Sequence, residues 1–143
     1  MFTDEYFMKM ALQEAEAAFE KDEVPVGCII VSSNRVIARS HNLTETLNDV
    51  TAHAEMQAIT SAANFLGGKY LQNCTMYITL EPCVMCAGAL NWSQISQVVI
   101  GARDEQRGFI NKNLTLHPKT EVVTGILANE CSQIVLDFFR SKR

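Results

Sequence analysis

Two short segments contain side chains that could bind a metal ion and move a proton. His53 and Glu55 stand two residues apart, and Cys83 and Cys86 form a Cys-x-x-Cys pair directly after Pro82. At the start of a helix, two thiols spaced in this way point in the same direction, which suits two thiolates on one tetrahedral zinc ion. The helix N-terminus also lowers the pKa of a thiol and so favours the thiolate ligand.

His53 can supply a third, nitrogen ligand, and the sequence contains no obvious fourth. Three ligands leave one coordination position for water, which is typical of a catalytic zinc rather than a structural one. Zinc lowers the pKa of such a water toward 7, and Glu55 can take its proton and pass it to a leaving group. The pattern therefore predicts hydrolytic deamination, in which hydroxide adds to an amidine-like carbon and ammonia leaves.

Two other interpretations of the cysteine pair remain open. A Cys-x-x-Cys pair can be a redox centre, although such a site would not need the His-x-Glu segment. A structural zinc would need a fourth ligand, and none of the candidates shows metal-ligand spacing; they are Cys28, Cys74, Cys131, His41 and His117.

Helical and strand patterns alternate around these segments. Helices are predicted after a Thr3 cap, over about 52–65 behind a Thr51 cap, over 83–90 behind Pro82, and after Gly125. Strands are predicted over 26–31, 35–38, 75–79, 98–100 and 121–124. This alternation predicts an α/β domain with one sheet covered on its faces.

Length and composition indicate one domain that spans 1–143. A chain of 143 residues with 48% hydrophobic side chains can build a core, so disorder is excluded. An odd count of 5 cysteines argues against a disulfide scaffold. No apolar run approaches the roughly 20 residues of a membrane span, and the N-terminus lacks a signal-peptide pattern. We therefore expect a soluble, cytoplasmic protein.

The net charge of −4 is unevenly distributed. Residues 1–100 contain 5 basic and 11 acidic side chains, whereas residues 101–143 contain 7 basic and 5 acidic ones. Only the C-terminal third would therefore favour a polyanion. The alternative is an ordinary solvated helix end, because cations near a helix C-terminus are favoured in any protein.

The motifs resemble those of the cytidine-deaminase-like superfamily, and most of all the bacterial tRNA-specific adenosine deaminases. The His-x-Glu and Pro-Cys-x-x-Cys pair is the signature of zinc nucleobase deaminases. The matching stretches run from one end of the chain to the other: Glu-Val-Pro-Val-Gly at 23–27, Thr-Ala-His-Ala-Glu at 51–55, Leu-Glu-Pro-Cys-Val-Met-Cys-Ala-Gly-Ala at 80–89, Gly-Ala-Arg-Asp at 101–104, and Gly-Ile-Leu-Ala at 125–128.

The resemblance implies a three-layer α/β/α cytidine deaminase-like fold with a central five-stranded mixed sheet. It also implies a homodimer with active sites near the subunit interface, and conversion of the wobble adenosine of a tRNA anticodon loop to inosine. Carried over by position, His53, Cys83 and Cys86 hold one zinc ion per subunit and Glu55 moves protons.

The same resemblance assigns substrate-binding residues, namely Asn42, Ala54, Asp104, Phe139 and Arg140. It places Asn42 against the base or its sugar, Asp104 against the flanking nucleotides, and the end of the last helix against the anticodon loop. Simpler roles also fit, since Asn42 can satisfy a turn, Asp104 can cap, and Phe139 can be plain core.

Two further functions compete with tRNA deamination. A deaminase of a small free base or nucleoside (guanine, cytosine or adenosine) would suit the acidic total charge. The stretch between Asp104 and Gly125 is shorter than is usual in the family, and Val50 stands where the family usually has Pro. A non-catalytic zinc module is the second alternative.

Overall fold

The computed structural model describes residues 1–143, which form four helices and five strands. The helices are α1 (Asp4–Glu20), α2 (Ala54–Leu66), α3 (Val84–Ser93) and α4 (Ala128–Ser141), and the strands are β1 (Gly27–Ser32), β2 (Arg35–His41), β3 (Cys74–Leu80), β4 (Gln97–Ala102) and β5 (Glu121–Val123). A short 3-10 helix, Ile110–Lys112, lies between β4 and β5. No helix is both long and apolar enough to cross a bilayer.

The five strands form one mixed sheet in the order β2-β1-β3-β4-β5. β1 runs antiparallel to both β2 and β3, whereas β3, β4 and β5 are mutually parallel. The parallel connections require crossovers, which α3 and the segment before β5 provide. The predicted α/β fold with a five-stranded mixed sheet is confirmed.

Helices cover both faces of the sheet, because the central strands β1, β3 and β4 bury side chains on both of their faces. Ile29, Tyr77 and Val99 pack with Phe7 of α1 and Cys131 of α4. On the other face, a second cluster joins the sheet to α2 and α3 through Ile30, Met76, Ile78, Ala58 and Leu90. The two clusters are the two interfaces of a three-layer α/β/α fold.

The start of α2 differs from the prediction. Thr51 does not cap this helix, which begins at Ala54 with His53 as its N-cap. The Thr51 hydroxyl instead donates to the Asp49 carboxylate over 2.7 Å. The His53 side chain makes no capping hydrogen bond, because its ring is directed toward the two cysteines. Because the helix starts later than predicted, the His53 ring is free to face Cys83 and Cys86.

Candidate metal centre and active site

The N-termini of α2 and α3 bring three possible metal ligands together. His53 is the N-cap of α2, Cys83 is the N-cap of α3, and Cys86 lies in the first turn of α3. The Nδ1 atom of His53 lies 3.7 Å from the Cys83 sulfur and 3.6 Å from the Cys86 sulfur. One nitrogen and one sulfur bound tetrahedrally to zinc lie about 3.6 Å apart. Both distances therefore match a donor set around one zinc ion.

The three-residue group contains no fourth ligand. Its ligand atoms lie within 4.8 Å of one another, and no further His, Cys, Asp or Glu joins them. All five cysteines are free thiols. The alternative of a closed structural site would need such a fourth ligand. An open coordination position agrees with a catalytic metal.

The electrostatics of the cluster favour a thiolate at Cys83. A hydrogen bond from Cys86 and another from His53 hold the pKa of Cys83 well below its ordinary value, although burial opposes them. The thiolate in turn raises the pKa of His53 and of Cys86. His53 and Cys86 therefore retain their protons while Cys83 is a thiolate. A bound metal cation would displace those protons.

Glu55 is a buried carboxylic acid beside this cluster. Only 4% of the residue is exposed. Burial raises the pKa of Glu55 to about 7, while a backbone hydrogen bond and the neighbouring His53 ring act in the opposite direction. A carboxyl group with a pKa near neutrality can both accept and donate a proton, which is what a general acid and base requires.

A cavity of about 560 Å³ opens above these residues. Its lining includes His53, Glu55 and Cys83, together with residues of the β2–α2 loop, residues 102–107 at the end of β4 and beyond, and one side of α4. This volume lies within the range of pockets that bind small organic groups. A purine base with its ribose fits a cavity of this size.

Asn42 and Ala54 both line the cavity. The Asn42 side-chain oxygen accepts the Thr44 backbone N–H over 3.2 Å, and its amide donates to the Val24 carbonyl over 3.4 Å. Asn42 therefore satisfies a turn, as the simpler interpretation predicts, and it also lines the pocket. The Ala54 carbonyl accepts a 2.6 Å hydrogen bond from the buried Ser40 hydroxyl, which fixes the residue between His53 and Glu55.

Asp104 and Phe139 line the cavity, whereas Arg140 does not. Asp104 accepts the backbone N–H groups of Gln106 and Arg107, so it caps a turn as well as facing the pocket. Phe139 is 48% exposed and is not plain core. Arg140 is exposed and lies 3.9 Å from the Asp137 carboxylate. Lys142, at the end of α4, pairs with Asp22 of the α1–β1 turn.

Sequence reasoning missed two buried carboxylates next to the cavity. Glu23 accepts hydrogen bonds from Glu45 and Thr46, and Glu81 accepts them from Arg103 and from two backbone N–H groups. Both belong to stretches that carried the family resemblance, at 23–27 and 80–89. Their place in those stretches was the one signal in the sequence, because the groups that donate to them lie more than 20 residues away.

The mixed sheet, the His/Cys/Cys group and the buried Glu55 together define a zinc-dependent deaminase domain. In agreement, the family model for the cytidine and deoxycytidylate deaminase zinc-binding region matches residues 1–102.

Individual relatives narrow this class. The tRNA-specific adenosine deaminase of Bacillus subtilis (strain 168) is 44% identical over 149 residues, which cover 100% of this chain and 92% of that protein. A solved structure from studies of A-to-I editing by tRNA:A34 deaminases at the wobble position of transfer RNA is 42% identical, with a TM-score of 0.84 over 90% of this chain and 98% of that chain. A guanine deaminase from Bacillus subtilis is 36% identical, with a TM-score of 0.68 over 71% of this chain and 66% of that chain. The chain belongs to the family of tRNA-specific adenosine deaminases.

Proposed function

We propose that this protein is a zinc-dependent hydrolase that converts adenosine to inosine at the wobble position of a tRNA anticodon loop. The observation that carries the proposal is the buried Glu55 beside a three-ligand group in the lining of a nucleoside-sized cavity. The nearly full-length similarity to tRNA-specific adenosine deaminases supports the choice of substrate.

His53, Cys83 and Cys86 are the proposed ligands of one zinc ion per chain. When bound, zinc supplies a Lewis acid that makes a water molecule nucleophilic near neutral pH. The Glu55 carboxylate accepts a proton from the attacking water and delivers it to N1 of the purine ring. It then carries the second proton to the departing amino group as the bond from C6 to nitrogen breaks. The products are inosine and ammonia, so the atoms of adenosine and water balance.

The cavity walls are the proposed binding surface for the extruded nucleotide. The Asn42 amide and the Ala54 backbone would hydrogen-bond the base or its sugar, and Asp104 would contact a flanking nucleotide. Phe139 offers an exposed ring on which a splayed base can stack. Arg140 lies on α4 one residue beyond Phe139, where its guanidinium can reach a phosphate of the loop.

A homodimer is the proposed assembly. Several large apolar side chains of α2 and α3 are exposed, namely Phe65, Leu66, Val84 and Trp92. Trp92 is 78% exposed and lies in a groove with Ile59 and Ala89. Apolar surface of this kind is typical of an interface between subunits. Because α2 and α3 also carry the metal ligands, such an interface would place each active site near the partner subunit.

Residues 1–143 are proposed to form one deaminase domain, since β5 and α4 complete the layers that residues 1–102 begin. The five free thiols and the RNA substrate favour a reducing, cytoplasmic location.

The test of the proposed function is a comparison of substrates. The purified protein would be incubated with an arginine-tRNA anticodon stem-loop, adenosine, guanine and cytosine, and both inosine and ammonia would be measured. We expect inosine at the wobble position of the stem-loop. Turnover of guanine or cytosine with an inert stem-loop would assign the site to small bases instead. Absence of turnover for every substrate by the zinc-loaded protein would leave the non-catalytic zinc module.

A further inference from the structure

The carboxylate of Glu81 is completely buried, although it lies at the edge of the cavity. One of its oxygens accepts the Arg103 Nε–H over 2.7 Å and the Asp104 backbone N–H over 3.0 Å. The other oxygen accepts the Ile110 backbone N–H over 2.9 Å. Both ends of the segment 103–110 are therefore attached to the same side chain.

The segment 103–110 is also held near its C-terminal end, where Phe109 is buried in the core and Gly108 forms a β-bridge with Cys83. It contains no strand of the sheet, and its residues 103–107 line the cavity. Its remaining backbone contacts are local, except for the hydrogen bond from the Phe109 N–H to the Pro82 carbonyl over 3.1 Å. Its one ion pair is the pair between Arg103 and Glu81. Among the side chains outside the segment, the Glu81 carboxylate is therefore the one that hydrogen-bonds both of its ends.

Gly108 packs directly against the Glu81 carboxylate. A Cβ atom placed on Gly108 would lie 2.1 Å from the Glu81 Oε2 atom and 2.5 Å from the Asp104 carbonyl oxygen. Contacts this short do not occur between real side chains, so any larger residue would push the segment away from the carboxylate. The close approach requires glycine for space, since Gly108 is not among the glycines with positive φ.

We propose that Glu81 is a positioning residue, whose carboxylate holds the segment 103–110 as the substrate-binding wall of the pocket. Its hydrogen bonds go to that segment and not to the metal ligands, although Cys83 is only two residues away. The inference rests on the proposed function for the identity of the substrate. It predicts that Glu81 acts on RNA binding, through Asp104 and its neighbours, and not on the chemical step.

The first test is the substitution Glu81→Gln, which keeps the size of the side chain. A glutamine can face one end of the segment with its oxygen, but its NH₂ group then meets an N–H donor at the other end. We expect the KM for the stem-loop to rise about tenfold, with kcat within about twofold and one zinc ion per chain. Hydrogen exchange at the Asp104 and Ile110 amides is expected to become faster.

The second test displaces the wall without changing the carboxylate. Gly108→Ala is expected to reproduce the rise in KM and the faster exchange of segment 103–110. The matched control is Gly68→Ala, because a Cβ atom there would contact nothing within 4 Å. This control is expected to keep the KM and the exchange rates of the unsubstituted protein.

The other possible results also decide whether Glu81 is a positioning residue. An unchanged KM in both variants would overturn the proposal, and so would a loss of zinc with a parallel fall in kcat, which would assign Glu81 to the metal site. If the unsubstituted protein does not deaminate the stem-loop, the proposed function fails and amide exchange decides about Glu81 independently. Faster exchange in both variants would then support its positioning role, and unchanged exchange would overturn it.

Discussion

The Thr46 hydroxyl donates a 2.6 Å hydrogen bond to the buried carboxylate of Glu23, which stands 23 residues earlier in the chain. The Thr46 backbone N–H donates to the same oxygen over 2.7 Å, and the Glu45 N–H donates to the other oxygen over 3.1 Å. This carboxylate therefore ties the turn between α1 and β1 to the loop that follows Asn42. It restrains one wall of the pocket, as Glu81 restrains another.

This arrangement predicts an acid-dependent loss of stability. Burial alone would raise the pKa of Glu23, but the hydrogen bonds from Thr46 and Glu45 outweigh it and lower the pKa below the ordinary value of 4.5. A lowered folded-state pKa stabilises the protein above about pH 4.5, and this contribution is lost as the pH falls through the folded-state value. Urea unfolding at pH 7, 5, 4 and 3.5 would measure the effect.

The matched comparison is between Glu23→Gln and Glu16→Gln, since Glu16 is an exposed carboxylate on α1. We expect Glu23→Gln to be destabilised at pH 7 and its difference from the unsubstituted protein to shrink below pH 4.5. Glu16→Gln should follow the unsubstituted protein. A constant difference across the whole pH range would contradict the role of the Glu23 charge.

Glu55 is expected to act in the chemical step alone. Glu55→Gln should lower kcat by about 10²–10⁴-fold, because the variant retains the shape of the side chain but cannot accept a proton. Zinc content and melting temperature should be retained. The control is Glu16→Gln, which changes an exposed carboxylate on α1 outside the cavity and should keep kcat. An active Glu55→Gln enzyme would remove Glu55 from the mechanism.

Cys83 and Cys74 provide a matched pair for the metal. Cys83→Ser is expected to lose zinc, since His53 and Cys86 alone leave two coordination positions open. Cys74→Ser should keep one zinc ion per chain, because the Cys74 thiol contacts the Gln72 carbonyl and not the metal ligands. Elemental analysis after dialysis would measure both. Stoichiometric zinc in the Cys83 variant would refute the ligand set.

The proposed dimer can be tested at Trp92. Trp92→Glu would place a charge in the exposed groove between α2 and α3, so we expect light scattering to change from a dimer mass to a monomer mass. Phe2→Glu changes another exposed aromatic residue, outside that groove, and should remain dimeric. A monomeric unsubstituted protein would contradict the proposal directly.

Local sequence patterns predicted the helices, the strands and the metal group, because alternation of apolar residues and the Pro-Cys-x-x-Cys spacing are local signals. The extension of β2 to His41 was missed, since its polar end is held by pairing with Gly27 of β1. The start of α2 was misplaced because the His53 ring serves the metal group rather than a helix cap. Glu23 and Glu81 could not be found from local patterns, as their donors lie more than 20 residues away.

Adjacent phenylalanines on α4 separate RNA binding from stability. Phe139 is exposed at the cavity, whereas Phe138 is buried against Phe19. Loss of a stacked base costs about 1–3 kcal/mol, so Phe139→Ala should raise the KM for the stem-loop by about 5- to 150-fold, with little change in melting temperature. Phe138→Ala should lower the free energy of unfolding by about 3–5 kcal/mol through the cavity it leaves.

A smaller substrate would show which nucleotide Phe139 contacts. If Phe139 stacks on a nucleotide that flanks the target, its loss should weaken binding of the full stem-loop more than binding of a short single-stranded RNA that lacks that nucleotide. Equal effects on both RNAs would place the contact on the target nucleotide itself. An unchanged KM for the stem-loop would show that the exposed ring of Phe139 does not contact RNA.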